Sequence, residues 1–226
     1  MERNIAMADL FALKDCALIT IATGERVHNL RELRDRLMKT ERGIMYYHFW
    51  DAILRPRFVD PEYQNDFAAW AYHELHDRRL AEKLAIINPT DYEFMDDLRQ
   101  KLIDVIEERM DELGFVPVAE VAHPFFFIRS QIVVFDTNIR VSTPEELSES
   151  IPRISVSSIF YHFIDSRRRT ASGKDDFSEW LLSFGPECAS LAEEIASIDP
   201  YFNTLLELRD QLSLVFARHL GKGGAE

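Results

Sequence analysis

His48, Asp51 and Arg55 stand in the pattern His-x-x-Asp-x-x-x-Arg, and the pattern returns at His162, Asp165 and Arg169. On a helix, spacings of three and seven put these side chains on one face. A second pair accompanies each triplet: Asp66 and Trp70 in the first case, Asp176 and Trp180 in the second, each one helical turn apart. Every set therefore holds one imidazole, two carboxylates, one guanidinium and one indole. Two chemistries fit. An arginine between aspartates is the usual make-up of an ion-pair network that fixes helix packing. The same groups, flanked in the first set by Tyr47, Phe49, Phe67 and Trp70, can line a polar cleft for a small anionic or polyhydroxyl ligand, with arginine donating, aspartate accepting from hydroxyls and Trp or Tyr stacking on a ring.

A further group is confined to the first part of the chain. His73-x-x-His76 is followed by Asp77, and nothing like it stands in the matching stretch "LLSFGPEC". Two histidines at i and i+3 on a helix can share a divalent metal, and His48 with Asp51 would extend the set. His76-Asp77 also resembles the His-Asp doublet of helical metal-dependent phosphohydrolases. The zincin spacing of i and i+4 is missing. The competing reading places both histidines on the solvated face of a long charged helix. No other cofactor is expected.

Other classes are excluded more simply. The chain has no GxxxxGK[ST], GxGxxG or GxSxG. Its formal net charge of −13 argues against a nucleic-acid partner, which would need clustered Lys and Arg. No apolar run is long enough to cross a membrane, and "MERNIAMADLFALKDC" does not read as a signal peptide. Cys16 and Cys188 have no metal spacing, so a cytoplasmic protein with two reduced thiols is expected. The partner is expected to be a small polar ligand or another protein; the oligomeric state is open.

The elements that must position these residues are organised by an internal repeat. A shift of 114 residues lays Tyr47-His48-Phe49 on Tyr161-His162-Phe163 and Arg55 on Arg169, and a shift of 110 lays Asp66-Phe67 on Asp176-Phe177 and Trp70 on Trp180. We read residues 11–112 as the first half, 113–125 as a connector, 126–220 as the second half and 221–226 as a disordered tail. The fold class is mainly α with a minor β part: two homologous helical halves about a pseudo-twofold axis, each opened by a short extended element. "ALITIAT" and "QIVVFDT" are rich in β-branched residues. Gly24 and Asn138 after them suggest that each turns back as a hairpin. Asn29-x-x-Glu32, Thr143-x-x-Glu146 and Thr90-x-x-Glu93 have the form of capping boxes. "DFAAWAYHELHDRRLAEKLAII" reads as one long helix. Phe94, Leu98, Leu102, Val105 and Ile106 read as the buried stripe of a later one. Phe125, Phe126 and Phe127 read as a core anchor.

The segments "IATGERVHNLRELRD", "YYHFWDAILRPRF", "NDFAAWA", "SQIVVFDT", "SSIFYHFIDSRRRT" and "DDFSEWL" together resemble a bacterial and archaeal family of unknown function. The resemblance spans residues 9 to 218. It implies no catalytic residues. Genes of that family neighbour glycosyltransferases and trehalose-type sugar enzymes, so it implies an accessory role linked to carbohydrate metabolism. Three functions remain in view: a binding or accessory module, a metal-dependent hydrolase, and a scaffold in which the repeated polar faces only pack.

Overall fold

The computed structural model describes residues 10–51, 54, 62–114, 123–170 and 172–221. Arg55, the side chain of Asp51, most of the connector and the tail after Gly221 lie outside the described residues. The architecture is mainly helical with one two-stranded antiparallel sheet. No helix among the described residues is long and apolar enough to cross a membrane.

The chain folds as two compact units. One comprises Leu18–Ile132; the other comprises Met1–Ala17 and Val133–Glu226. We call them the His48 unit and the His162 unit. Each draws on both of the stretches that the sequence sets apart. Strand β1 (Phe11–Val27) gives its first seven residues to the His162 unit and the rest to the His48 unit. Strand β2 (Phe125–Val141) is divided the other way: it enters in the His48 unit and continues in the His162 unit.

The extended segments are thus longer than expected, and they do not turn back as hairpins. Gly24 (φ 77°) and Asn138 (φ 61°) do adopt the left-handed conformation, but inside the strands. A single left-handed residue bends a strand and leaves its ladder intact on either side. The threonine before each completes the feature. Thr23 Oγ1 accepts from the Glu25 N–H and donates to the Phe127 carbonyl, and Thr137 Oγ1 accepts from the Ile139 N–H and donates to the Leu13 carbonyl.

In the His48 unit, α1 (Leu30–Leu37) begins at Asn29, whose side chain accepts from the Glu32 N–H, and it buries Leu30, Leu33 and Leu37. α2 (Arg42–Tyr46) runs into a π-helical turn over Tyr47–Asp51. The long third helix is two helices, α3 (Asp66–His73) and α4 (Arg78–Ala85). They are separated at His76, which has φ 52°. α5 (Met95–Leu113) buries Leu98, Leu102, Val105 and Ile106 as expected, but Phe94 is exposed. The Thr90 capping box does not form. Asn88 accepts from the Thr90 N–H and hydroxyl instead, which closes a short 3₁₀ turn at Pro89–Asp91 before α5 begins.

The His162 unit follows the same order. α6 (Pro144–Ser150) is capped by Thr143 with Pro144 at its first position. α7 (Val156–Ile159) continues as a π turn over Phe160–Ile164 and a 3₁₀ turn over Asp165–Arg168. α8 (Asp176–Leu182), α9 (Ala189–Ala196) and α10 (Leu205–Leu220) complete it. α10 starts with a full capping box between Thr204 and Glu207.

Candidate functional site: two histidine–aspartate clusters

His162 is buried on the π turn after α7. Its Nδ1 is 2.7 Å from Asp176 Oδ2, at the first position of α8. Its Nε2 accepts from the backbone N–H of Lys14, 2.9 Å away on β1. A backbone N–H can only donate, so Nε2 carries the lone pair and Nδ1 the proton. The ring is thereby fixed as the neutral Nδ1–H tautomer. His48 repeats the arrangement in its own unit: Nδ1 lies 2.8 Å from Asp66 Oδ2, and Nε2 accepts from the Ile128 N–H at 3.2 Å.

Arg169 ties the His162 cluster together. Its Nε donates to Asp165 Oδ2 at 2.8 Å, and one terminal nitrogen donates to Asp176 Oδ2 at 3.0 Å and to the Tyr161 carbonyl at 2.9 Å. Its guanidinium carbon lies 4.0 Å from the centre of the Tyr161 ring, a cation–π distance. Asp165 is buried and also accepts from Arg168. His162, Asp165, Arg169 and Asp176 are therefore brought together as the spacing foretold. In the His48 cluster the structure describes His48, Asp66 and Trp70. Trp70 Nε1 donates to the His123 carbonyl at 3.2 Å.

Each cluster is roofed by an aromatic ring that the pattern of polar residues did not single out. Phe125 packs on His48 at 4.7 Å between ring centres, on Phe67 at 5.0 Å and on Trp70 at 5.6 Å. Phe11 packs on His162 at 5.0 Å, on Phe177 at 5.6 Å and on Trp180 at 5.4 Å. Extending the 114-residue shift upstream pairs Phe11 with Phe125, a signal present in the sequence. The donors at Lys14 and Ile128 are main-chain groups and leave no such signal. Phe125 and Phe127 are buried, but Phe126 is exposed, because successive strand residues point to opposite faces.

The His73–His76–Asp77 set is not assembled on one helix. His73 ends α3, His76 lies in the break, and Asp77 caps α4 by accepting from the Leu80 N–H at 3.0 Å. The other oxygen of Asp77 accepts from Arg109 Nε at 2.8 Å. Among the described residues no group of three or more His, Cys, Asp or Glu is placed to hold a metal ion. Cys16 and Cys188 are free and buried. Burial first, then Asp15 and Asp165, push the Cys16 thiol up to about 12, so it stays protonated at neutral pH and is a poor nucleophile.

Beside the His162 cluster lies a buried carboxyl, Asp175, which accepts from the Ser178 N–H at 2.8 Å and the Ser178 hydroxyl at 2.6 Å. Burial raises its pKa above the ordinary aspartate value. Burial likewise lowers the nearby Arg167 guanidinium, with Asp175 and Asp199 pushing it back. Asn65 holds the matching place in the His48 unit, accepting from the Ala68 N–H at 2.9 Å and donating to the Leu84 carbonyl at 3.0 Å.

The structure of OrfY from Thermoproteus tenax is similar to this chain, with a TM-score of 0.79 and 25% sequence identity over 95% of this chain and 97% of that one. No curated protein matches the chain. A family model matches residues 8–217, nearly the whole of the two units just described, and the chain therefore belongs to the family of unknown function DUF5752.

Proposed function

We propose that the protein is a non-catalytic binding module, an accessory to a partner. One observation carries the reading: both ring nitrogens of His48 and of His162 are engaged inside the fold. A general base needs a free lone pair within reach of substrate. Here that lone pair is held by a strand N–H, so each histidine acts as a brace between helix and strand. What each cluster offers outward is its polar edge. Asp66 is 44% exposed and Arg169 is 36% exposed, against 2–3% for the two histidines. A carboxylate that accepts and a guanidinium that donates suit a polyhydroxyl or anionic ligand. The carbohydrate link rests on the family resemblance alone.

A thermal-shift panel of sugars, sugar phosphates and nucleotide sugars tests this. A shift that Arg169→Ala or Asp66→Ala removes is expected; no shift across the panel would count against a small-ligand site. Stoichiometric zinc, manganese or iron in purified protein, lost in His76→Ala, would sink the non-catalytic reading in favour of a metal-dependent hydrolase.

A protein partner is favoured by a separate observation. Phe202 precedes α10, Leu206 and Leu214 lie on it, and all three are exposed. The 110-residue shift pairs Leu206 and Leu214 with Asp96 and Asp104 of α5, so at these two helix positions the His162 unit is apolar and the His48 unit acidic. An apolar surface where the matching helix is acidic fits a contact face.

A further inference from the structure

We infer that residues 10–114 and 123–221 are obligate partners that assemble with each other without needing the peptide between them. The reading goes beyond the proposed function and does not depend on it.

Each histidine cluster is closed by a strand segment from the other stretch of chain. The His162 unit is built on helices after residue 143, yet its aromatic roof, Phe11, and the donor to His162, Lys14, come from the first part of β1. The same segment buries Leu13 and Cys16. It is held further by Ser158 Oγ, which donates to the Lys14 carbonyl at 2.7 Å, and by the Cys16 thiol on the Ser157 carbonyl at 3.4 Å. The exchange is reciprocal. The His48 unit is built on helices before residue 114, yet Phe125, Phe127 and the Ile128 N–H come from the later stretch. Arg129 adds a 3.1 Å ion pair to Glu41, and the Arg36 guanidinium lies 5.9 Å from the centre of the Phe127 ring. Gly43 shows how closely the segment is seated: a Cβ there would lie 2.8 Å from Arg129 Cγ and 3.1 Å from the Ser130 carbonyl.

Neither stretch can supply these groups to itself in the arrangement seen. Alone, the earlier one leaves His48 Nε2 without its donor and Phe67 without its cover. The later one leaves the same gaps at His162 and Phe177. The partner each fits is therefore an extended segment carrying a large apolar residue, a second apolar residue two positions on, and a free N–H one position after that.

The test starts from the full chain with a protease site in place of residues 117–120, cut after purification. The cut protein should elute at the mass of the intact chain, keep its helical circular dichroism and re-form after unfolding in urea. Each fragment purified alone in urea and refolded should show no cooperative unfolding transition. In the cut protein, Leu13→Ala or Ile128→Pro should weaken the pairing by about tenfold or more. Fragments that separate in native buffer would overturn the inference. So would a fragment that folds alone, as a monomer or as a homodimer, or pairing unchanged by both substitutions.

Discussion

Around His48 the accepting carboxylate, Asp66, has 44% of its side chain exposed; around His162 the matching Asp176 has 18%. The two clusters share a tautomer, a roof and a strand donor, and differ in how far the charge is enclosed. In the His162 unit Arg169 bridges Asp176 and Asp165, and a buried carboxyl, Asp175, lies next to it with the half-buried Arg167 nearby. In the His48 unit the place of Asp175 is taken by Asn65, a neutral amide that meets its partners without a charge to desolvate. Among the described residues the imidazole brace is common to both units, while the buried carboxyl of Asp175 in one is replaced by the neutral amide of Asn65 in the other.

The largest effect should come from removing the brace. His162→Ala leaves a cavity under Phe11 and an unmatched Lys14 N–H, and should cost about 3–5 kcal/mol in urea unfolding. His48→Ala should cost about 1 kcal/mol less, because water can solvate the half-exposed Asp66. Equal losses would erase the distinction between the clusters. Asp165→Asn weakens two ion pairs on a buried carboxylate whose arginines are partly exposed, and should cost about 2 kcal/mol. A change within about 0.5 kcal/mol would show the bridge to be decorative.

His76→Gly should be neutral or stabilising by up to about 1 kcal/mol, since histidine at φ 52° carries a left-handed strain that glycine does not. Gly185, at φ 95°, sits in the corresponding break of the His162 unit. A clear loss of stability would mean that the His76 side chain does more than turn the chain. The last difference depends on pH. Asp175 binds its proton more readily folded than unfolded, so its contribution to stability falls as pH rises from the unfolded value through the raised folded one. Asp175→Asn, which copies Asn65, should match the parent in acid and exceed it at neutral pH. Parallel pH–stability curves for the two proteins would refute this.

Much of the local structure was legible because it is written in side chains. The Asn29 and Thr143 caps, the buried stripe of α5 and the His162–Asp165–Arg169–Asp176 group all follow from residue type and spacing. Three features were not. The Thr90 box failed because Asn88, two residues earlier, competes for the same N–H and hydroxyl. The long third helix was broken by a left-handed histidine, which is rare enough to escape any pattern of apolar residues. The hairpins gave way to two 17-residue strands because strand pairing is decided by distant partners, here from one end of the sheet to the other. The candidate site was legible in its polar groups, and its meaning was not: that each Nε2 is occupied depends on main-chain donors 148 and 80 residues away.

That reciprocal strand arrangement has a consequence for synthesis on the ribosome. The segment around Lys14 emerges before His162 and must wait for it, 148 residues later; at about 5–20 residues per second that is roughly 7–30 s. Meanwhile the helices around His48 are complete but lack their strand donor until Ile128 appears, so neither unit can close before that residue is made. An extended segment held open that long is a reason for slow folding that no single contact reveals.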